Sequence, residues 1–243
     1  MDVLSIGNSF STDAQRYLHG IAKADGVEIN SFNLFIGGCS LEHHHRNMIT
    51  QEREYTLEMN GQSTGFNVSL QESLLNREWG VVTIQQVSHD SPRYETYQPY
   101  LSSIVEYVRK SVPKAKIVVH QTWAYEQGGE LLSNLGYCDY RDMLSDIKKS
   151  YKKAAELIDA DLIIPSGELF HTLLENGIEK VHRDTFHASL GLGRYALGLE
   201  WYRFLTGNNI LDNSFNDFDE DVSAEQIKIV KKCVSAVADK YGA

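Results

Sequence analysis

Cysteine, proline and methionine are all scarce in this 243-residue chain, with 3, 4 and 4 copies. The three cysteines, Cys39, Cys138 and Cys233, are odd in number and far apart. That excludes a disulfide framework and a zinc-ligand pattern, and predicts small core residues in a reducing compartment. No Pro/Ser-rich linker, repeat or low-complexity tract appears, so residues 1–243 are expected to form a single domain. No apolar run approaches the ~20 residues of a membrane-spanning helix. Positive charge is also short: 23 Lys+Arg face 33 Asp+Glu, a net −10. Nucleic acid and anionic membrane surfaces are therefore not expected partners. The opening residues lack a basic stretch and a cleavable apolar segment, which predicts a cytoplasmic protein, export staying open to a chain trimmed of its signal.

What remains is an ordinary globular composition, 42% hydrophobic and 23% charged. Short β-branched runs at residues 3–6, 81–84, 117–119 and 162–164 have the look of parallel strands covered on both faces. A more polar fifth strand is expected at 29–35. Helical stretches at 12–24, 97–111 and 140–158 alternate with these strands, which predicts a doubly wound α/β sheet. Residues 54–70 break the alternation. Their period-two pattern around a glycine-containing loop predicts an inserted β-hairpin. Ser223 and Gln226 form a capping-box pattern ahead of a packing helix.

The first strand runs straight into Asn8-Ser9-Phe10-Ser11, with a helix expected close behind. Open α/β sheets bind ligands beyond the carboxyl ends of their strands. A serine at that place suits a nucleophile if a base lies near; taken alone, Ser9, like Ser11 and Thr12, reads as a helix cap or turn former. Late in the chain, Asp184 and His187 stand three apart ahead of an aromatic-rich helix. A carboxylate beside an imidazole fixes its tautomer and stabilises the imidazolium that forms when the ring takes a proton.

Together these residues resemble the SGNH, or GDSL, hydrolases. Gly7-Asn8-Ser9-Phe10 resembles their Gly-Asp-Ser-Leu block, and Asp184-x-x-His187 followed by Leu190-Gly191 resembles their last block. Gly37-Gly38 matches the position of their oxyanion glycine. The hairpin, Gln85-Gln86-x-Ser88-His89 and Thr122-Trp123-Ala124-Tyr125 resemble an uncharacterised bacterial subfamily. The resemblance implies a three-layer α/β/α sandwich with a flavodoxin-like parallel sheet and no cofactor. It implies Ser9 as nucleophile, His187 as general base and acid, and Asp184 as its orienting carboxylate. The N–H groups of Ser9 and Gly38 would form two arms of an oxyanion hole. The usual third donor is an asparagine, which this chain lacks; His89 aligns best with it, and Gln85 or Gln86 are alternatives. The implied substrate is a small O-acyl ester, acetyl in the first instance, with an acetylated carbohydrate as the candidate.

His43, Trp123 and Tyr125 are expected around the mouth, the two aromatics as a sugar-stacking wall or as half-buried packing residues. Glu42-His43-His44-His45 does not have metal-helix spacing, and a helix start capped by Ser40 is expected there instead. The acidic run from Asp217 lacks the glycine and glutamate of a calcium loop. Two other functions fit parts of the chain: a flavodoxin-like FMN or phosphate loop at residues 7–12, and a non-catalytic glycan-binding relative.

Overall fold

A computed structural model describes residues 1–242. The strands are β1 (Asp2–Gly7), β2 (Asn30–Phe35), β3 (Tyr55–Met59), β4 (Gln62–Val68), β5 (Val81–Ile84), β6 (Lys116–Gln121) and β7 (Leu162–Pro165). They form one sheet of order β4-β3-β2-β1-β5-β6-β7. β2, β1, β5, β6 and β7 are parallel, while β3 pairs antiparallel with β2 and β4. The parallel part thus has the flavodoxin-like order, with its switch point beside β1.

The helices are α1 (Ser9–Gln15), α2 (Leu18–Ala24), α3 (Leu41–Thr50), α4 (Leu70–Leu75), α5 (Tyr100–Ser111), α6 (Glu130–Asn134), α7 (Tyr140–Leu157), α8 (Ser166–Glu175), α9 (Leu192–Thr206) and α10 (Ala224–Tyr241). α1, α2, α8 and α10 pack around α9, and α3, α4 and α5 pack together, with α7 against β6. This is the α/β/α sandwich. α9 is buried on almost every side, which accounts for its Tyr195, Trp201, Tyr202 and Phe204.

The expected helix at 12–24 is two helices. It starts earlier, at Ser9, because the Asn8 side chain caps the Phe10 amide, and it breaks at Arg16 and Tyr17. The hairpin turns at Asn60-Gly61, both with positive φ, the geometry of a two-residue hairpin loop. Its second strand stops at Val68. Leu70, expected to extend it, opens α4 instead, because Ser69 and Glu72 form a capping box. The helix after His187 begins at Leu192, since Ala188 is held in a bridge with His182. Cys39 and Cys233 are core residues, whereas Cys138 is exposed, in the turn before α7.

Candidate active site

The connections that follow β1, β2, β5 and β6 at the carboxyl edge of the sheet all line one place. β1 ends at Gly7, and Ser9 is the first residue of α1. A Cβ on Gly7 would strike the Ser11 hydroxyl at 2.2 Å, so only glycine permits so abrupt a turn from strand to helix. The loop after α8 brings His187 to the same edge. Its Nε2 lies 2.8 Å from Ser9 Oγ, and its Nδ1 lies 2.8 Å from Asp184 Oδ2. Asp184 Oδ1 also accepts the His187 amide at 2.8 Å, which locks the carboxylate to its own loop. Partial burial works to raise the Asp184 pKa, but the hydrogen bonds from the His187 ring and amide outweigh it and hold the carboxyl below its ordinary value.

Two clasps hold the His187 loop. The first is Asp13, one helical turn beyond Ser9 and fully buried. Its carboxylate accepts from Arg183 Nη1 at 2.9 and 3.0 Å, from Arg194 Nε at 2.8 Å and from the Ala188 amide at 3.1 Å. The second is the segment after β6. Trp123 Nε1 donates to the Phe186 carbonyl at 2.7 Å, the Glu126 amide donates to the Thr185 carbonyl at 2.7 Å, and His182 Nε2 meets the Ala124 carbonyl at 3.1 Å. Thr185, a β-branched residue, sits at φ 74° between these anchors. That conformation is costly, and the surrounding bonds over-determine it.

The β2–α3 loop is drawn in by Asn8. Its Nδ2 donates to the Cys39 carbonyl at 3.1 Å, while its Oδ1 accepts from the Phe10 amide and from Gln85 Nε2. Next to Cys39, Gly38 lines the cavity beside Ser9 at φ 65°, with no heavy atom near its vacant Cβ position.

Ser9, Gly38, His89, Tyr125 and His187 all line one cavity. Four other expected contact residues lie elsewhere. Trp123 is fully buried and stacks on Phe10 at 4.1 Å, so it holds the loop rather than walling the mouth. Gln85 is buried beneath Asn8, where its Oε1 accepts from Ser11 and from His120 Nδ1. Gln86 is buried too, accepting from the Leu41 and Val87 amides and donating to Thr96. His43 faces away, paired with Glu54 at 2.7 Å. Its neighbours diverge: His44 is buried beside Cys39 and Tyr55, and His45 packs on Tyr100. Among the described residues, no group of three or more His, Cys, Asp or Glu is placed to hold a metal.

Sequence reasoning missed Asp13 and the cavity walls. Asp13 had a faint signal, because positions 9 and 13 share a helix face.

The family model for a domain of unknown function, DUF4886, matches residues 2–237. A DUF4886 family protein of known structure from Bacteroides uniformis is 30% identical, with 100% of this chain and 95% of that one covered and a TM-score of 0.91. A protein from Slackia heliotrinireducens described provisionally as an SGNH hydrolase is 22% identical, covering 84% and 98%, with a TM-score of 0.61. Axe2, an acetylxylan esterase from Geobacillus stearothermophilus, is 18% identical, covering 84% and 94%, with a TM-score of 0.54. No curated protein matches the chain. The fold is that of the SGNH hydrolases.

Proposed function

The chain belongs to the DUF4886 family, and from that membership and its Ser9–His187–Asp184 geometry we propose that it is a serine hydrolase of carboxylic esters. The observation that carries this reading is the 2.8 Å approach of His187 Nε2 to Ser9 Oγ, across 178 positions of sequence. Ser9 attacks the ester carbonyl as His187 takes its proton, and Asp184 stabilises the imidazolium through Nδ1. The carbonyl oxygen gains negative charge, which the amides of Ser9 and Gly38 receive, with His89 as the third donor. Collapse of the tetrahedral intermediate breaks the ester bond. The alcohol leaves with the proton from His187, and an acyl group stays on Ser9. Water, deprotonated by His187, attacks the acyl-enzyme and releases the acid.

Support also comes from the SGNH fold, which the chain shares with an acetylxylan esterase. An acetyl ester of a carbohydrate is the narrower form of the reading. It has Tyr125 at the cavity, but Trp123 offers no stacking face because it is buried.

Labelling by a fluorophosphonate, followed by peptide mapping, tests the assignment. Label is expected on Ser9 alone. Ser9→Ala and His187→Ala should each lower kcat by at least about 10³-fold, and Asp184→Asn by about 10²–10⁴-fold. Full ester turnover in Ser9→Ala or His187→Ala would overturn the proposal. An unlabelled, inactive wild type would favour a binding role instead.

A further inference from the structure

The cavity over Ser9 and His187 has a volume of about 590 Å³, far more than an acetyl group fills. No Asp, Glu, Lys or Arg side chain lines it. Its apolar walls are Phe35, Val87, Phe186, Leu131 and Leu135. Of its polar side chains, the Tyr125 hydroxyl bonds Ser88 at 2.9 Å and the Asn8 amide is taken up by Cys39 and Gln85, which leaves Asn134 and His89 at the exposed rim beside Ser9 and His187. A sugar carries a hydroxyl on almost every carbon, and each one desolvated without a partner costs about 1–3 kcal/mol. These walls would leave most of them unmatched.

The outer wall is specific in its construction. α6 is only five residues long and hangs between Gly128-Gly129 and Gly136. Leu131 within it and Leu135 at its C-cap line the cavity, and Leu131 is left 37% exposed there. The same segment is fastened to the His187 loop, through the Glu126–Thr185 hydrogen bond and the packing of Gly129 on Thr185. An apolar wall is thus tied to the group placed beside the serine.

We infer, resting on the serine-hydrolase reading, that the site takes uncharged esters whose larger half is apolar, a medium-length alkyl or an aryl group, in preference to acetylated sugars. That half lies against Leu131, Leu135 and Phe186 and covers surface that is otherwise open to water.

Two substrate series test this on the full chain. One holds the alcohol constant and lengthens the acyl group from acetyl to octanoyl. The other holds acetyl constant and enlarges the alcohol from methyl to hexyl and benzyl, with an acetylated xylose alongside. In at least one series kcat/KM should climb about fourfold per buried methylene until the cavity is filled. L131D and L135D should flatten that climb. Covalent labelling of Ser9 by a methyl-sized fluorophosphonate reports separately on the nucleophile. If Ser9 labels but neither series climbs, or the xylose acetate outruns benzyl acetate, the substrate inference is overturned and the hydrolase reading stands. If Ser9 does not label and no ester turns over, both fall.

Discussion

Asn8 makes three hydrogen bonds through one carboxamide, and only two of them would survive in an aspartate. Its Oδ1 accepts from Phe10 and Gln85, which a carboxylate would also do; its Nδ2 donates to the Cys39 carbonyl, which a carboxylate cannot. Asn8→Asp would set an anionic oxygen against that carbonyl and push the Gly38 loop away from Ser9. The expected result is a kcat lower by about 10²-fold, comparable to losing one oxyanion donor, with KM changed much less. Steady-state kinetics decide it; an unchanged kcat would show that Gly38 is held independently. Beneath Asn8, Gln85 is kept in one orientation because Ser11 and His120 both donate to its Oε1. Burial pushes the His120 pKa down to about 3, so the ring is neutral and its Nδ1 proton is available for that bond.

A single short helix, α1, carries Ser9 at its start and Asp13 one turn later. The spacing between Ser9 and His187 is therefore set by a rigid element at one end and by a buried carboxylate on that same element. Asp13→Ala would take the carboxylate from Arg183 and from Arg194 Nε, leaving Arg194 only Asp219. Removing one partner of a buried ion pair costs about 3–5 kcal/mol, so the urea midpoint and kcat should fall together. A fall in neither would mean that Trp123 and Glu126 suffice to hold the loop. The hairpin also acts on α1 rather than on the cavity, which none of its residues lines. Glu58 Oε2 accepts from Thr12 and Asn33 at 2.8 Å, and a Cβ on Gly61 would meet the Arg16 backbone at 2.6 Å. Gly61→Ala should destabilise by more than about 1 kcal/mol in urea unfolding, because it adds both the clash and a strained φ of 74°. Legibility in the sequence follows the same elements. Parallel strands buried on both faces leave apolar runs, so β1, β5, β6 and β7 were plain. α4 and α6 are two turns or fewer, too short for any period to show. Ser9, Asp184 and His187 stood out by residue type and order. Trp123, Gln85 and Gln86 did not declare their direction, since position after a strand does not say whether a side chain turns inward or toward the cavity.

At the scale of the whole molecule, four deeply buried groups pull stability in opposite directions as pH changes. Burial pushes His44 and His120 down to about 3 and His182 to about 4, from an ordinary 6.5. Burial pushes Glu200, hydrogen-bonded to Ser166, up to about 8 from an ordinary 4.5. Below pH 6.5 the unfolded chain gains protons on three histidines that the folded chain refuses, so stability drains away as pH falls toward 3. Above pH 4.5 the unfolded chain loses the Glu200 proton while the folded chain keeps it, so this group's contribution drains away as pH rises to about 8. Three histidines outweigh one glutamate on the acid side, and of the four only the glutamate acts above neutrality. These groups place the maximum near pH 7. Urea midpoints at pH 5, 7 and 8.5 should show that rise and fall, and Glu200→Gln should flatten the alkaline side; a curve climbing steadily through pH 8.5 would contradict it.

The distance in sequence between Ser9 and His187 also matters while the chain is being made. A growing polypeptide carries the serine 178 residues before it acquires the imidazole that pairs with it. The histidine loop then has to wait for Arg194 before Asp13 can grip it fully. Throughout that stretch of synthesis Ser9 has no base beside it. Reactivity at Ser9 would therefore count folded molecules that extend past Arg194 and ignore those broken off before it.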